Sequence, residues 1–191
     1  MIDCLVPTAK HDYVLTSNYI EGIKAQPGDA LYDQHLATLQ KVLDATCLIP
    51  PGDIQKDIMH NQLEDYSPAG LHRSQCAYVG RKSFPRPALV PKLMFALNFR
   101  VACAVRNIQY GGFTAEVVEH TLLSLYDEAL CIHPFPDGNG RTFRLALNHW
   151  RRLCNLSWIM FTPEVADAHL ARLRQYEENV FRPAYNWAYD D

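Results

Sequence analysis

The run His133-Pro134-Phe135-Pro136-Asp137-Gly138-Asn139-Gly140-Arg141-Thr142-Phe143-Arg144 gathers more site chemistry than any other part of the chain. An imidazole, a carboxylate, two glycines around an amide and two guanidiniums share one short segment. His133, with an ordinary pKa near ~6.5, can accept a proton at neutral pH. Asp137 can serve Mg²⁺, which commonly takes one or two carboxylates beside phosphate oxygens and water. Arg141 and Arg144 stand three apart, so on a helix they share a face, and their forked donors match phosphate oxygens in pairs. Such a set can hold a triphosphate, its metal and a proton acceptor together.

The elements that must position these groups are legible around them. Pro134 and Pro136 stop the preceding helix. Gly138-Asn139-Gly140 permits a tight turn, and the next helix begins close to Asn139. A glycine turn feeding a helix N-terminus aims unpaired N–H groups at an anion. Phe143 and Leu147 face the core from the opposite side of that helix. Phe135 alternates with His133 and Asp137, which makes it an inward anchor for the loop.

Helical spacing recurs along the chain. Leu36, Leu39 and Leu43 form one stripe. The run from Lys92 to Arg106 is apolar nearly all round, which predicts a central helix. Thr114 is an N-cap with Glu116 in the first turn, followed by Val118, Leu122, Leu125 and Ala129 to an end near Cys131. The helix after the motif carries Phe143, Leu147, Trp150 and Cys154 on one side. A further helix carries Val165, Ala168, Arg172, Tyr176 and Val180 between Pro163 and Pro183. Gln75 to Lys82 is strand-like with a glycine turn, a β-hairpin or flap on a mostly α body.

The totals narrow the function classes. The chain has 191 residues, 48% hydrophobic and 20% charged, enough for one well-buried core and short for two domains. Its net charge of −3 and lack of like-charge runs speak against a general nucleic-acid or anionic-membrane binder. No apolar stretch approaches the ~20 residues of a membrane span, and the amino terminus lacks a secretory layout. Six cysteines without CxxC spacing read as reduced thiols of a cytoplasmic protein.

At the 133–144 run the chain resembles the Fic family, whose signature HxFx(D/E)GNGRxxR is filled at every specified position. Pro68-Ala69-Gly70-Leu71-His72-Arg73 followed by Tyr78-Val79-Gly80 is similar to the family's flap region. Val90-Pro91-Lys92-Leu93-Met94 and Asn148 are similar too, so the resemblance spans roughly residues 12 to 185. It implies a single Fic domain over 1–191, a helical bundle with a flap at about 73–84 and a catalytic loop and helix at 133–154. The implied activity is transfer of AMP from ATP to a Tyr, Thr or Ser hydroxyl of a target protein, with release of pyrophosphate. By the same resemblance His133 is the base, Asp137 holds Mg²⁺, and Gly138, Asn139 and Gly140 cradle the phosphates. Arg141 neutralises them and Arg144 binds the γ-phosphate. Val79, Gly80, Arg81 and Lys82 belong to the flap, where a target strand docks by β-augmentation, and are expected to contribute to nucleotide binding. Asn179 and Tyr176 are the candidates near the base.

Ser17-Asn18-Tyr19-Ile20-Glu21-Gly22 resembles the inhibitory motif (S/T)xxxE(G/N) of part of the family, on an N-terminal helix of about 12–23. The resemblance implies that Glu21 pairs with Arg144 in place of the γ-phosphate, with Ser17 one turn back and Gly22 ending the helix. Other reactions on the same scaffold are UMP or phosphocholine transfer, removal of AMP, and Doc-type phosphorylation. Gly140, where the Doc type typically carries Lys, favours nucleotidyl transfer over the last. A nucleotide-sensing regulator is the non-enzymatic alternative. The partners expected are ATP and a target protein, with no nucleic acid or membrane, and the resemblance admits a homodimer.

Overall fold

A computed structural model describes residues 7–60, 69–80 and 82–189. Its elements run α1 (Pro7–Ile20), α2 (Ala30–Asp44), α3 (Pro51–Ile58), β1 (Tyr78–Val79), β2 (Lys82–Ser83), α4 (Val90–Tyr110), α5 (Ala115–Ile132), α6 (Asn139–Leu153), α7 (Pro163–Tyr176), a π-helical turn (Glu177–Phe181) and α8 (Arg182–Tyr185). The protein is a mostly α bundle with one small antiparallel hairpin, in which Tyr78 pairs with Ser83 and Val79 with Lys82.

The helix that carries the motif, α6, lies at the centre. Phe143, Leu145, Ala146, Leu147 and Trp150 are wholly buried, and α5, α3, α2, α4 and α1 all pack against the helix. Its polar residues are buried as well, and several of them find partners inside. Asn148 Nδ2 donates to the Ile159 carbonyl at 2.9 Å and its Oδ1 accepts from Ile159 N–H at 2.8 Å, tying the 154–162 connection down. His149 Nε2 accepts from Ile49 N–H at 3.0 Å, and Arg151 Nε donates to the Ser157 carbonyl at 2.7 Å.

The prediction that Lys92 to Arg106 forms the central helix is corrected. The helix exists, as α4, but only Val90, Leu93, Met94, Leu97, Val101 and Val105 face the core. Phe95 and Phe99 are 76% and 64% exposed. Hydropathy alone measures how apolar a helix is, not how many neighbours it has. Pro87–Tyr110 is also long and apolar enough to cross a membrane by length and composition, contrary to the sequence reading. Its inner face packs on α5 and α6, as a bundle helix does.

The other helices start where expected. Thr114 Oγ1 accepts from Val117 N–H at 3.4 Å, and Thr162 does the same for Val165 N–H at the start of α7. Beyond Tyr176 the register slips. The π-helical turn inserts one residue into the repeat, so Phe181 is fully buried while Val180, the residue predicted to face inward, is 49% exposed.

Candidate active site

Helix α5 ends because His133 takes a left-handed conformation (φ 50°, ψ 60°) and Pro134 follows it. The loop beyond is shaped by its own side chains. Asn139 Oδ1 accepts from Phe135 N–H at 2.9 Å and its Nδ2 donates to the Phe135 carbonyl at 2.8 Å. Phe135 is fully buried and stacks on Phe143 with centroids 5.9 Å apart. Asp137 Oδ1 accepts from Gly138 N–H at 2.6 Å, and Gln55 Nε2 donates to the Asp137 carbonyl at 3.1 Å. Gly138 stands at φ 77°, where a Cβ would meet Met59 Sδ at 2.8 Å, so both conformation and space require glycine there.

A cleft of about 500 Å³ opens beside this loop, with His133, Gly140, Arg144, Glu21, Val79 and Lys82 among its walls. The His133 ring stacks on Phe84, centroids 4.2 Å apart and planes 23° from parallel. Burial first, then the Arg73 and Lys82 cations, pull its pKa down to about 4, so the imidazole is neutral at physiological pH. A neutral imidazole is the form that can take a proton.

Arg144 is 5% exposed and turns toward α1. Its Nε donates to Ser17 Oγ at 3.1 Å, its Nη2 donates to the Ser17 carbonyl at 2.8 Å, and Nη2 lies 2.8 Å from Glu21 Oε1. The Glu21 carboxylate lies so close over Gly140 that a Cβ there would overlap it. It therefore occupies the first turn of α6, where helix dipole and guanidinium both favour negative charge.

The chain presents Glu21 there by the way α1 ends. Gly22 is left-handed (φ 72°), its N–H donates to the Tyr19 carbonyl at 2.9 Å, and Ile23 N–H donates to the Asn18 carbonyl at 3.0 Å. This is a Schellman termination with Glu21 as its last half-helical residue. The helix spans Pro7–Ile20 rather than about 12–23, reaching further back and stopping before the acid.

Several expected site residues adjoin this cleft without lining it. Gly138, Asn139, Arg141 and Asp137 belong to the same loop and helix start but are not among its walls. Asn139 commits its side chain to Phe135, which leaves only backbone to face an anion. Arg141 turns toward α3, donating from Nη2 to Met59 Sδ at 3.1 Å, with Asp137 Oδ2 3.9 Å away. Its Nε and Nη1 are buried without a partner among the described residues. Lys82 Nζ pairs with Glu177 Oε2 at 2.6 Å and lies over the Phe84 ring, so it fastens the flap to the π-helical turn. Val79 lines the cleft, Gly80 makes the hairpin turn at φ 61°, and Arg81 lies outside the described residues. Asn179 is exposed and Tyr176 half-buried, and neither lines the cleft.

The wall facing the flap is instead built from Tyr126, Leu130, Phe161, His169, Leu170 and Leu173. Asp127 holds Arg172 through two 2.8 Å bonds, and Arg172 Nη2 donates to His169 Nδ1 at 3.4 Å. Burial and Arg172 bring the His169 pKa to about 4, so this imidazole is neutral at physiological pH. Sequence reasoning missed this group, although the i, i+3 spacing of His169 and Arg172 on α7 was visible. It also missed His35, whose Nδ1 sits 3.1 Å from Asn18 Oδ1 in the fully buried contact between α1 and α2. Burial, Arg141 and Arg144 bring the pKa of His35 down to about 3.

Among the described residues no group of three His, Cys, Asp or Glu could hold a metal ion. Asp137 stands alone, its side chain 67% exposed. One carboxylate fits Mg²⁺ that arrives with phosphates and waters, which supply the remaining oxygens.

The fold is similar to that of a Fic domain containing signaling protein from Bacteroides thetaiotaomicron VPI-5482, with TM-score 0.73 and 18% identity over 90% of this chain and 72% of that one. A Fic family protein from Desulfovibrio desulfuricans G20 aligns with TM-score 0.55 and 19% identity, over 89% of this chain and 57% of that one. At such identities the likeness is one of fold. The family model for Fic/DOC matches residues 51–150, more than half of the chain, from α3 through the His133 loop to Trp150 of α6. This chain therefore belongs to the Fic/DOC family, whose fold is that of a Fic-type transferase.

Proposed function

We propose that this protein is an adenylyltransferase that moves AMP from ATP to a Tyr, Thr or Ser hydroxyl of a target protein and is held off by Glu21. The observation that carries the reading is the contact of Glu21 with Arg144 over Gly140, in the same cleft as a neutral His133. A buried guanidinium at a helix N-terminus is built for an anion, and here it is met by the chain's own carboxylate.

With Glu21 withdrawn, the terminal phosphate takes the Arg144 donors, and the backbone N–H groups at the start of α6 face the chain of phosphates. Arg141 contributes charge from the start of α6, with two donors that have no partner among the described residues. Asp137 would hold Mg²⁺, which when bound offsets phosphate charge. His133 takes the proton of the incoming hydroxyl. The hydroxyl oxygen bonds to the α-phosphorus, and pyrophosphate departs with the electrons of the broken bond. The exposed edge of the hairpin, with Tyr78 and Val79 65% and 60% exposed, is the strand on which an extended target would dock.

A second reading is removal of AMP from a modified protein. It is favoured by Glu21 lining the cleft itself, where the carboxylate could orient a water instead of blocking a phosphate. Glu21→Gly separates the two. Under the transfer reading the variant labels itself with α-labelled ATP and Mg²⁺ more strongly than the wild type. Unchanged labelling in a folded variant, with faster loss of AMP from a modified target in the wild type, would support removal.

A further inference from the structure

The conformation that aims His133 into the cleft is costly. A non-glycine residue at φ 50° is in a disfavoured region, so its surroundings must hold it. Five hydrogen bonds from Arg73 do so. Its backbone N–H donates to the Pro134 carbonyl at 2.8 Å. Nε donates to the His133 carbonyl at 2.8 Å, and Nη2 to that of Ile132 at 3.4 Å. Nη2 also donates to the Pro85 carbonyl at 2.6 Å, and Nη1 to that of Gln75 at 2.9 Å.

Every acceptor is a backbone carbonyl. Three belong to the consecutive residues at the end of α5, and two flank the β1–β2 hairpin. Arg73 is 4% exposed, yet no carboxylate pairs with it among these contacts. Burying a guanidinium is unfavourable unless its donors are satisfied, and an aliphatic side chain would fill the same space without that cost. What the guanidinium adds is a rigid fork that reaches both segments at once. Pro85 follows Phe84, whose ring is stacked on His133, so the same fork also fixes the stacking partner.

Resting on the reading of His133 as the base, we propose that Arg73 is the positioning residue that locks the His133 backbone to both ends of the flap. Base and target-docking hairpin then move as one unit. Burial does most to keep the His133 ring unprotonated, and the Arg73 cation, alongside Lys82 from β2 and opposed by Asp137 from the loop, adds to it.

The test compares Arg73→Lys, which keeps the charge and loses the fork, with Arg73→Gln, which loses both, after thermal melting shows each is folded. Amide hydrogen exchange over residues 75–85 and NMR titration of the His133 imidazole are read on the full chain without substrate. Both variants are expected to exchange faster across the flap, including at Phe84 N–H. The His133 pKa is expected to rise in Arg73→Gln and to stay low in Arg73→Lys. In a Glu21→Gly background, kcat is expected to fall on the order of 10²-fold in both, with a smaller change in KM for ATP. Wild-type flap exchange with an unmoved His133 titration in folded variants would overturn the proposal. If instead Glu21→Gly transfers nothing from ATP, the assignment of His133 fails, while exchange and titration still decide the role of Arg73.

Discussion

At Arg144 the Glu21 carboxylate meets the guanidinium, and one neutral imidazole, that of His133, lines the same cleft. Under the proposed transfer, the task of His133 is to accept a proton. Removing an aligned proton acceptor costs ~10²–10⁴-fold in rate, so His133→Ala in a Glu21→Gly background is expected to lose transfer by that factor while still binding ATP. Single-turnover labelling beside an equilibrium ATP titration checks both halves of the expectation. The residues of the loop were legible because their types and spacing are dense. The jobs of some were not. Asn139 braces Phe135, and Lys82 pairs with Glu177 nearly a hundred positions away; no local pattern announces either. Arg73 was noticed only as part of the flap, because its acceptors are carbonyls, which every residue has.

Among the elements, the end of α1 matters most for the proposed control. Gly22 has open space around the position a Cβ would take, so a side chain there meets no clash and only the left-handed backbone resists it. Gly22→Ala is therefore expected to cost roughly 1–2 kcal/mol and to loosen the presentation of Glu21. A fall in melting temperature accompanied by higher auto-modification checks this; a fall with unchanged activity would separate helix termination from the brake. Helix boundaries from caps and prolines were readable to within a few residues at Thr114, Asn139 and Pro163. The ranking of helices by burial was not. The sequence of α4 is more apolar than that of α6, yet α6 is central: five other helices pack on it, and Asn148, His149 and Arg151 bond to the segments that surround it. The π-helical turn escaped for a related reason: periodicity assumes a constant repeat, and one inserted residue exchanges Val180 for Phe181.

For the molecule as a whole, buried neutral histidines tie stability to pH. His35 and His149 are fully buried, and burial is the leading cause that takes their pKa values to about 3 and about 4, below the ordinary 6.5. Below pH ~6.5 the unfolded chain binds protons that the native state refuses, so stability is complete above that pH and falls as pH drops toward 4. Each such group contributes at most ~1.4 kcal/mol per pH unit over that window. Denaturant melts between pH 7 and pH 4.5 are expected to show the decline, and His149→Gln is expected to flatten it. A pH-independent midpoint across this range would contradict the burial of both imidazoles.

The most direct measurement uses two batches of ATP, one labelled on the α-phosphate and one on the γ-phosphate, each given with Mg²⁺ to the Glu21→Gly protein. Nucleotide transfer through His133 leaves the α label on protein and releases the γ label as pyrophosphate, and both signals vanish in the His133→Ala double variant. Label retained from the γ position, or label from either position that survives loss of His133, would contradict the account.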